Sequence, residues 1–181
     1  MSRWPPERID LVRIVLRRER VGDEDLVAEA VSASLDHLRP WMPWAVPAAA
    51  TAASQRDRLV QGEQGWDAGS DYTFALLDDS EQELFGIFGL HRRVGPSAIE
   101  LGYWLTPEAV GRGYATDAAR ALTQVALALP DVATVEIHCD EANGRSRRIP
   151  QRLGYRLDRV EQDEIEAPAE VGRSMIWVYP P

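Results

Sequence analysis

The stretch Glu100-Leu101-Gly102-Tyr103-Trp104-Leu105-Thr106-Pro107-Glu108-Ala109-Val110-Gly111-Arg112-Gly113-Tyr114-Ala115-Thr116-Asp117 decides how this chain is read. It runs as an apolar strand, a short glycine-bearing loop and the start of a helix. Gly111 and Gly113 allow backbone conformations that other residues resist, and let amide N–H groups approach a ligand closely. Those amides fall at a helix N-terminus, where the dipole favours anions such as a pyrophosphate. Arg112 adds a full positive charge and Thr116 a hydroxyl. A dinucleotide motif is the rival, and the pattern rejects it. The third glycine of G-x-G-x-x-G would fall at Thr116, and five residues, Thr106 to Val110, separate strand from glycines.

Working outward, the helix continues to about Leu129 through Ala115, Ala118, Ala119, Leu122 and Val125, and Pro130 closes it. Val132 to His138 reads as a strand. Ser146 to Leu153 reads as a short helix ended by Gly154, and strands follow near Tyr155–Val160 and Ser174–Tyr179. Upstream lie strand candidates Tyr72–Leu77, Leu84–Arg92 and Ile99–Leu105, joined by turns at Asp78-Asp79-Ser80 and Gly95-Pro96-Ser97. Residues 9 to 19 predict a first strand. Asp23-Glu24-Asp25 opens a helix with Leu26, Ala30, Val31 and Leu35 as its apolar stripe, and an alanine-rich helix from Pro47 to Gln64 is expected to stop before Gly65. Between those helices, Leu38 to Trp44 cannot be helix interior, because Pro40 and Pro43 interrupt it. The expectation is one mixed α/β domain over residues 1 to 181.

Composition narrows the chemistry. The 181 residues carry a formal charge of −9, and all 20 basic residues are arginine. Without lysine there is no Schiff base and no G-x-x-x-x-G-K phosphate loop. A pI near 4.9 argues against a nucleic-acid duplex as partner, which needs a basic footprint. One cysteine, Cys139, excludes an internal disulfide and a cysteine-rich metal site, and no metal is expected. His138 and Cys139 do not make a nucleophilic pair, since neighbours on a strand face opposite ways. The opening Met1-Ser2-Arg3-Trp4-Pro5-Pro6 lacks the apolar core of a signal peptide, and no apolar run reaches the roughly 20 residues of a membrane span. The expected setting is the cytoplasm, as monomer or homodimer.

These residues resemble the GCN5-related N-acetyltransferases (GNAT), whose acyl-CoA loop reads Q/R-x-x-G-x-G/A. Here it reads Val110-Gly111-Arg112-Gly113-Tyr114-Ala115, with the first polar position replaced by Val110. A second family signature appears as Asn143-Gly144-Arg145-Ser146-Arg147-Arg148-Ile149-Pro150-Gln151-Arg152-Leu153-Gly154-Tyr155. The finer likeness is to the ribosomal-protein-alanine acetyltransferase (RimJ/RimL-type) branch, in the E-x-G-Y-W-L, G-R-G-Y-A-T and N-x-x-S patterns and in Ser34 to Trp44. It spans roughly residues 8 to 179.

The resemblance implies a splayed, mixed and mostly antiparallel sheet flanked by helices, with acetyl-CoA between the strand ending near Leu105 and the one ending near His138. Backbone groups of Trp104, Leu105 and Thr106 would pair with the pantetheine arm. The loop Gly111, Arg112, Gly113, Tyr114, Ala115 and Thr116 would hold the pyrophosphate. Asn143 would bond the pantetheine or acetyl region, or else cap the short helix; Arg148 would reach a CoA phosphate, or else stay a solvated charge. An amine would attack the thioester directly. Glu100 is the candidate base, or else a group that orients a cationic acceptor. Where the family often carries a tyrosine to protonate the thiolate stands Pro150, so Ser146 becomes the candidate donor to sulfur. The implied activity is N-acetylation of a protein N-terminal α-amine. The alternatives are a small-molecule amine as acceptor, or a CoA-binding module without catalysis.

Overall fold

In the computed structural model, residues 4–180 are described; Met1, Ser2, Arg3 and Pro181 lie outside the described residues. A short hairpin, β1 (Arg8–Asp10) and β2 (Val15–Arg18), precedes α1 (Glu24–Leu38) and α2 (Ala52–Ala68). The meander β3 (Asp71–Leu77), β4 (Leu84–His91), β5 (Ala98–Leu105) follows, then α3 (Tyr114–Leu127), β6 (Thr134–Asp140), α4 (Arg148–Leu153), β7 (Arg156–Gln162) and β8 (Arg173–Tyr179). One eight-stranded sheet results, ordered β1-β2-β3-β4-β5-β6-β8-β7. Every pairing is antiparallel except β5 with β6. The expected mixed, mostly antiparallel sheet flanked by helices is what the chain forms.

The single parallel junction matters most. Strands β5 and β6 pair only at Ala98↔Thr134, Ile99↔Val135 and Glu100↔Glu136. Beyond Glu100 they part, while β5 continues to Leu105 on β4 and β6 to Asp140 on β8. The sheet therefore opens as a V at its centre.

Strand alternation sorts the two faces. One carries Phe74, Phe88, Leu90, Ile99, Leu101 and Ile137, fully or nearly fully buried with Ala118, Ala119 and Leu122 of α3. Each large side chain so buried contributes about 1.5–3 kcal/mol. The other face has a smaller apolar patch, Ala75, Leu77 and Ile87, beneath Val27 and Val31 of α1. That face also carries a polar cluster, Asp71, His91, Glu100, Glu136 and His138.

Four sequence expectations are corrected. Residues 9 to 19 form two strands, because the chain folds back where the Leu11 amide donates to the Ile14 carbonyl at 2.9 Å; this pairs Ile9 with Leu16. The alanine-rich segment is a 3₁₀ turn, Pro47–Ala50, followed by α2, whose first turn is capped by the Thr51 hydroxyl accepting from the Ser54 amide. Gly65 does not end α2, which runs to Ala68 and closes at Gly69. The reason is packing: a Cβ on Gly65 would lie 3.0 Å from that of Asp71, so glycine lets α2 approach β3. In α1 the most buried positions are Val27, Ala28, Val31, Ser34 and Leu38, one step round from the expected stripe.

Candidate active site

The loop after β5 turns through a 3₁₀ turn, Pro107–Ala109, into α3. Gly111 and Gly113 take φ of 82° and 87°, the left-handed region that suits glycine, and a Cβ on either would meet no atom within 4 Å. Among the described residues, the amides of Gly111, Arg112, Gly113, Tyr114 and Ala115 meet no backbone carbonyl. The result is an open row of N–H donors at the positive end of a 14-residue helix, an arrangement that suits phosphate. Arg112 is exposed beside it. The Tyr114 side chain turns inward instead, against Phe85 at 5.1 Å, so only its backbone faces the loop opening.

At the V, Tyr103 reaches from β5 across to the segment before α4. Its hydroxyl lies 3.2 Å from both the carbonyl oxygen and Oγ of Ser146. Burial pushes the Tyr103 phenol well up, against the Ser146 hydrogen bond that lowers it, so it stays protonated. Asn143 Oδ1 accepts from the Ser146 amide at 3.1 Å, fixing the turn that presents the serine. This bond braces the turn before α4 and does not cap the helix, whose first turn follows Arg147 without a side-chain cap. Cys139 lies near Ser146 with its thiol pushed up to about 11 by burial, an unreactive state.

A cavity of about 350 Å³ joins this notch to the polar face of the sheet. Asn143, Ser146 and Tyr103 stand at one end, with Glu100, His91 and His138 along the floor. Trp41 and Met42 form part of the wall, as do Asp163, Glu164, Glu166 and Glu170 of the β7–β8 loop. The Ala169 amide donates to the Pro40 carbonyl at 2.9 Å, tying that acidic loop to the tryptophan segment. The two tryptophans therefore divide their work: Trp41 lines the cavity, whereas Trp44 leans on Trp104 at 5.9 Å.

The Glu100 carboxylate is clamped. Arg93 Nε and Nη2 donate to its two oxygens, both at 2.7 Å. Burial raises this carboxyl, but Arg93, with His138 and His91, outweighs it and holds Glu100 below the ordinary carboxylate range. A carboxylate stabilised in this way is a weak base, so the geometry favours the orienting role over proton abstraction.

Of the residues assigned to the acyl donor, Trp104 and Leu105 lie on β5 beside the V. The Thr106 amide is already spent on the Phe85 carbonyl at 2.9 Å, leaving its carbonyl. Ala115 and Thr116 sit in the first turn of α3. Arg148 opens α4 as an exposed side chain away from the cavity, where both its readings stand. Residues that sequence reasoning passed over are Asp71, His91, Arg93, Tyr103 and Glu136. A pattern did mark Tyr103, inside the quoted E-x-G-Y-W-L run; for the other four, chain order held no signal of their convergence.

A family model for the acetyltransferase (GNAT) domain matches residues 13–156. A Bacillus subtilis (strain 168) protein named "Putative ribosomal N-acetyltransferase YdaF" is 28% identical over 146 residues, covering 78% of this chain and 77% of that one. Among solved structures, the ribosomal-protein-S5-alanine acetyltransferase from Vibrio fischeri superposes with a TM-score of 0.85 at 17% identity, covering 94% of both chains. The microcin C7 self-immunity acetyltransferase MccE, solved with acetyl-CoA and AMP, gives 0.85 at 17% identity over 97% of both. The structural matches share the fold and the family model spans most of the sequence. The chain is a member of the GNAT acetyltransferase family, N-acetyltransferases that take their acyl group from acetyl-CoA.

Proposed function

We propose that this enzyme, acting as one domain over residues 1 to 181, acetylates the N-terminal α-amine of a protein. The observation that carries the reading is the continuous cavity from Ser146 to an acidic rim of Asp163, Glu164, Glu166 and Glu170. An extended, positively charged chain end suits such an opening, with its ammonium directed inward towards Glu100. The chemistry agrees. An α-amine with pKa about 7.7–8 loses its proton at pH 7 for about 1–1.4 kcal/mol, against about 4.6 for a lysine-type amine near 10.4. The likeness to YdaF and to the Vibrio fischeri enzyme, both named for ribosomal proteins, points the same way.

Each residue takes a role in this reading. Amides of Gly111 to Ala115, with Arg112 and Thr116, hold the pyrophosphate; with no lysine in the chain, phosphates are met by backbone N–H groups and arginines, Arg148 among them. The free edge of β5 at Trp104, Leu105 and Thr106 receives the pantetheine arm, and the Asn143 amide bonds it. Glu100, kept ionised by Arg93, attracts and orients the acceptor. Ser146, held by Tyr103 and Asn143, donates to the departing sulfur. A thiol of ordinary pKa about 8.5 needs only such a weak donor at neutral pH.

A small-molecule amine is the second reading, favoured by the cavity's volume of about 350 Å³, which falls in the range of small-ligand sites. Thiol release from acetyl-CoA, measured with peptides bearing free N-termini and with small amines, separates the two. Peptide turnover with an acetylated N-terminus by mass spectrometry supports the first; turnover confined to small amines overturns it.

A further inference from the structure

With Glu100 clamped, the cavity still needs a group to take the acceptor's proton, and two histidines line it. His138 has its outer nitrogen engaged: Nε2 meets Glu136 Oε2 at 2.7 Å, leaving only Nδ1 beside its own backbone. His91 is arranged the other way. Its Nδ1 is hydrogen-bonded to Asp71, and among the described residues Nε2 has no hydrogen-bond partner. The ring lies over Gly89 and Gly102, a cross-strand pair. A Cβ on Gly89 would overlap the ring, and one on Gly102 would lie 3.4 Å from Nε2. The two glycines thus leave a trough for the ring, with Nε2 over Gly89 and beside Gly102 of β5, one residue before Tyr103, where β5 and β6 have parted.

We infer that His91, oriented by Asp71, is the catalytic base of this enzyme. The inference rests on the reading of this cavity as the acceptor site, whichever amine fills it. Imidazole is the side chain whose ordinary protonation change falls at about pH 5–8, so it can accept a proton at neutral pH. Asp71 is a positioning residue: it keeps the proton on Nδ1, so that Nε2 carries the lone pair. The acceptor's ammonium gives one proton to Nε2. The freed nitrogen bonds to the thioester carbonyl carbon, and the C–S bond breaks with its electron pair leaving on sulfur. The nitrogen loses its second proton as the thiolate gains one. Each turnover yields amide, free thiol and one proton to solvent.

The groups facing the imidazole are Asp71 from β3, Glu100 from β5 and Arg93 beyond β4, with the Glu136–His138 pair across on β6. The test compares wild type, His91→Ala, His91→Asn and Asp71→Asn with the best acceptor from the amine panel. Loss of the base lowers turnover at pH 7 by about 10²–10⁴-fold, with acetyl-CoA affinity by calorimetry and thermal stability retained in at least one His91 variant. The deficit shrinks as pH rises and supplies free amine. Added imidazole restores part of the turnover of His91→Ala but none to Ser146→Ala. Asp71→Asn lowers kcat and displaces the acid limb of the pH profile. Unchanged turnover and pH profile in both His91 variants, or a loss that imidazole does not touch, overturns the assignment. If wild type turns over small amines alone, the N-terminal reading fails, and the His91 comparison is made on that amine.

Discussion

Arg93 and Glu100 meet through two parallel hydrogen bonds, Nε to Oε2 and Nη2 to Oε1, each 2.7 Å long. The Glu100 side chain is 10% exposed and that of Arg93 64%, so the pair straddles the cavity wall. That asymmetry sets what each partner does when the other is removed.

Arg93→Met leaves a buried carboxylate without its counter-ion. Breaking a fully buried pair costs roughly 3–5 kcal/mol, and solvent access on the arginine side reduces the expectation here to about 1–2 kcal/mol. The folded carboxyl lies below its unfolded value. Its contribution is therefore present above the unfolded pKa, about 4.3, and lost as pH falls through the lower folded value. Thermal melts of wild type and Arg93→Met should differ most at neutral pH and converge in acid. A gap that stays constant with pH contradicts the pairing as its source.

Glu100→Gln keeps the shape and removes the charge. As an orienting group, its loss raises KM for a cationic acceptor by about 5–10-fold, near 1 kcal/mol, and leaves kcat in place. The acid limb of the pH profile stays present but is displaced to lower pH, because a negative charge facing His91 is gone. Initial-rate kinetics over pH check this. A collapse of kcat with an abolished acid limb would return the base role to Glu100.

Gly113→Val tests the phosphate loop. At φ 87° a β-branched residue costs at least about 1–2 kcal/mol, yet its Cβ meets no protein atom within 4 Å. The variant should fold with a lowered Tm, and its affinity for CoA by calorimetry should fall more than tenfold, about 1.4 kcal/mol. Retained binding contradicts the assignment of the loop.

Ser146→Ala removes the donor to sulfur; Tyr103→Phe removes only the group holding it. We expect turnover to fall by about 10²-fold for the serine and by about tenfold for the tyrosine, near 1.4 kcal/mol, with acetyl-CoA affinity kept. The double variant should lose less than the product of the two single losses, since Tyr103 acts on turnover through Ser146, which it holds at both Oγ and the carbonyl oxygen. Additive losses show that the two act independently.

Chain order alone specifies local structure. The strand, loop and helix from Ala98 to Leu127 follow from alternation, two glycines and an apolar period, and these reach only a few residues along the chain. The donor loop was legible for that reason: its N–H groups and its left-handed glycines lie within one turn of sequence. The sheet order, the V beyond Glu100 and the clamp of Arg93 on Glu100 were decided by tertiary structure. So was the end of α2, where Gly65 reads as a stop but serves close packing on Asp71. His91 illustrates why. Its neighbours Asp71 and Gly102 stand 20 and 11 residues away in sequence, and only antiparallel register brings all three to one face of the sheet. Hydrogen bonds and ion pairs act over a few ångströms in space, and strand pairing determines which residues come that close.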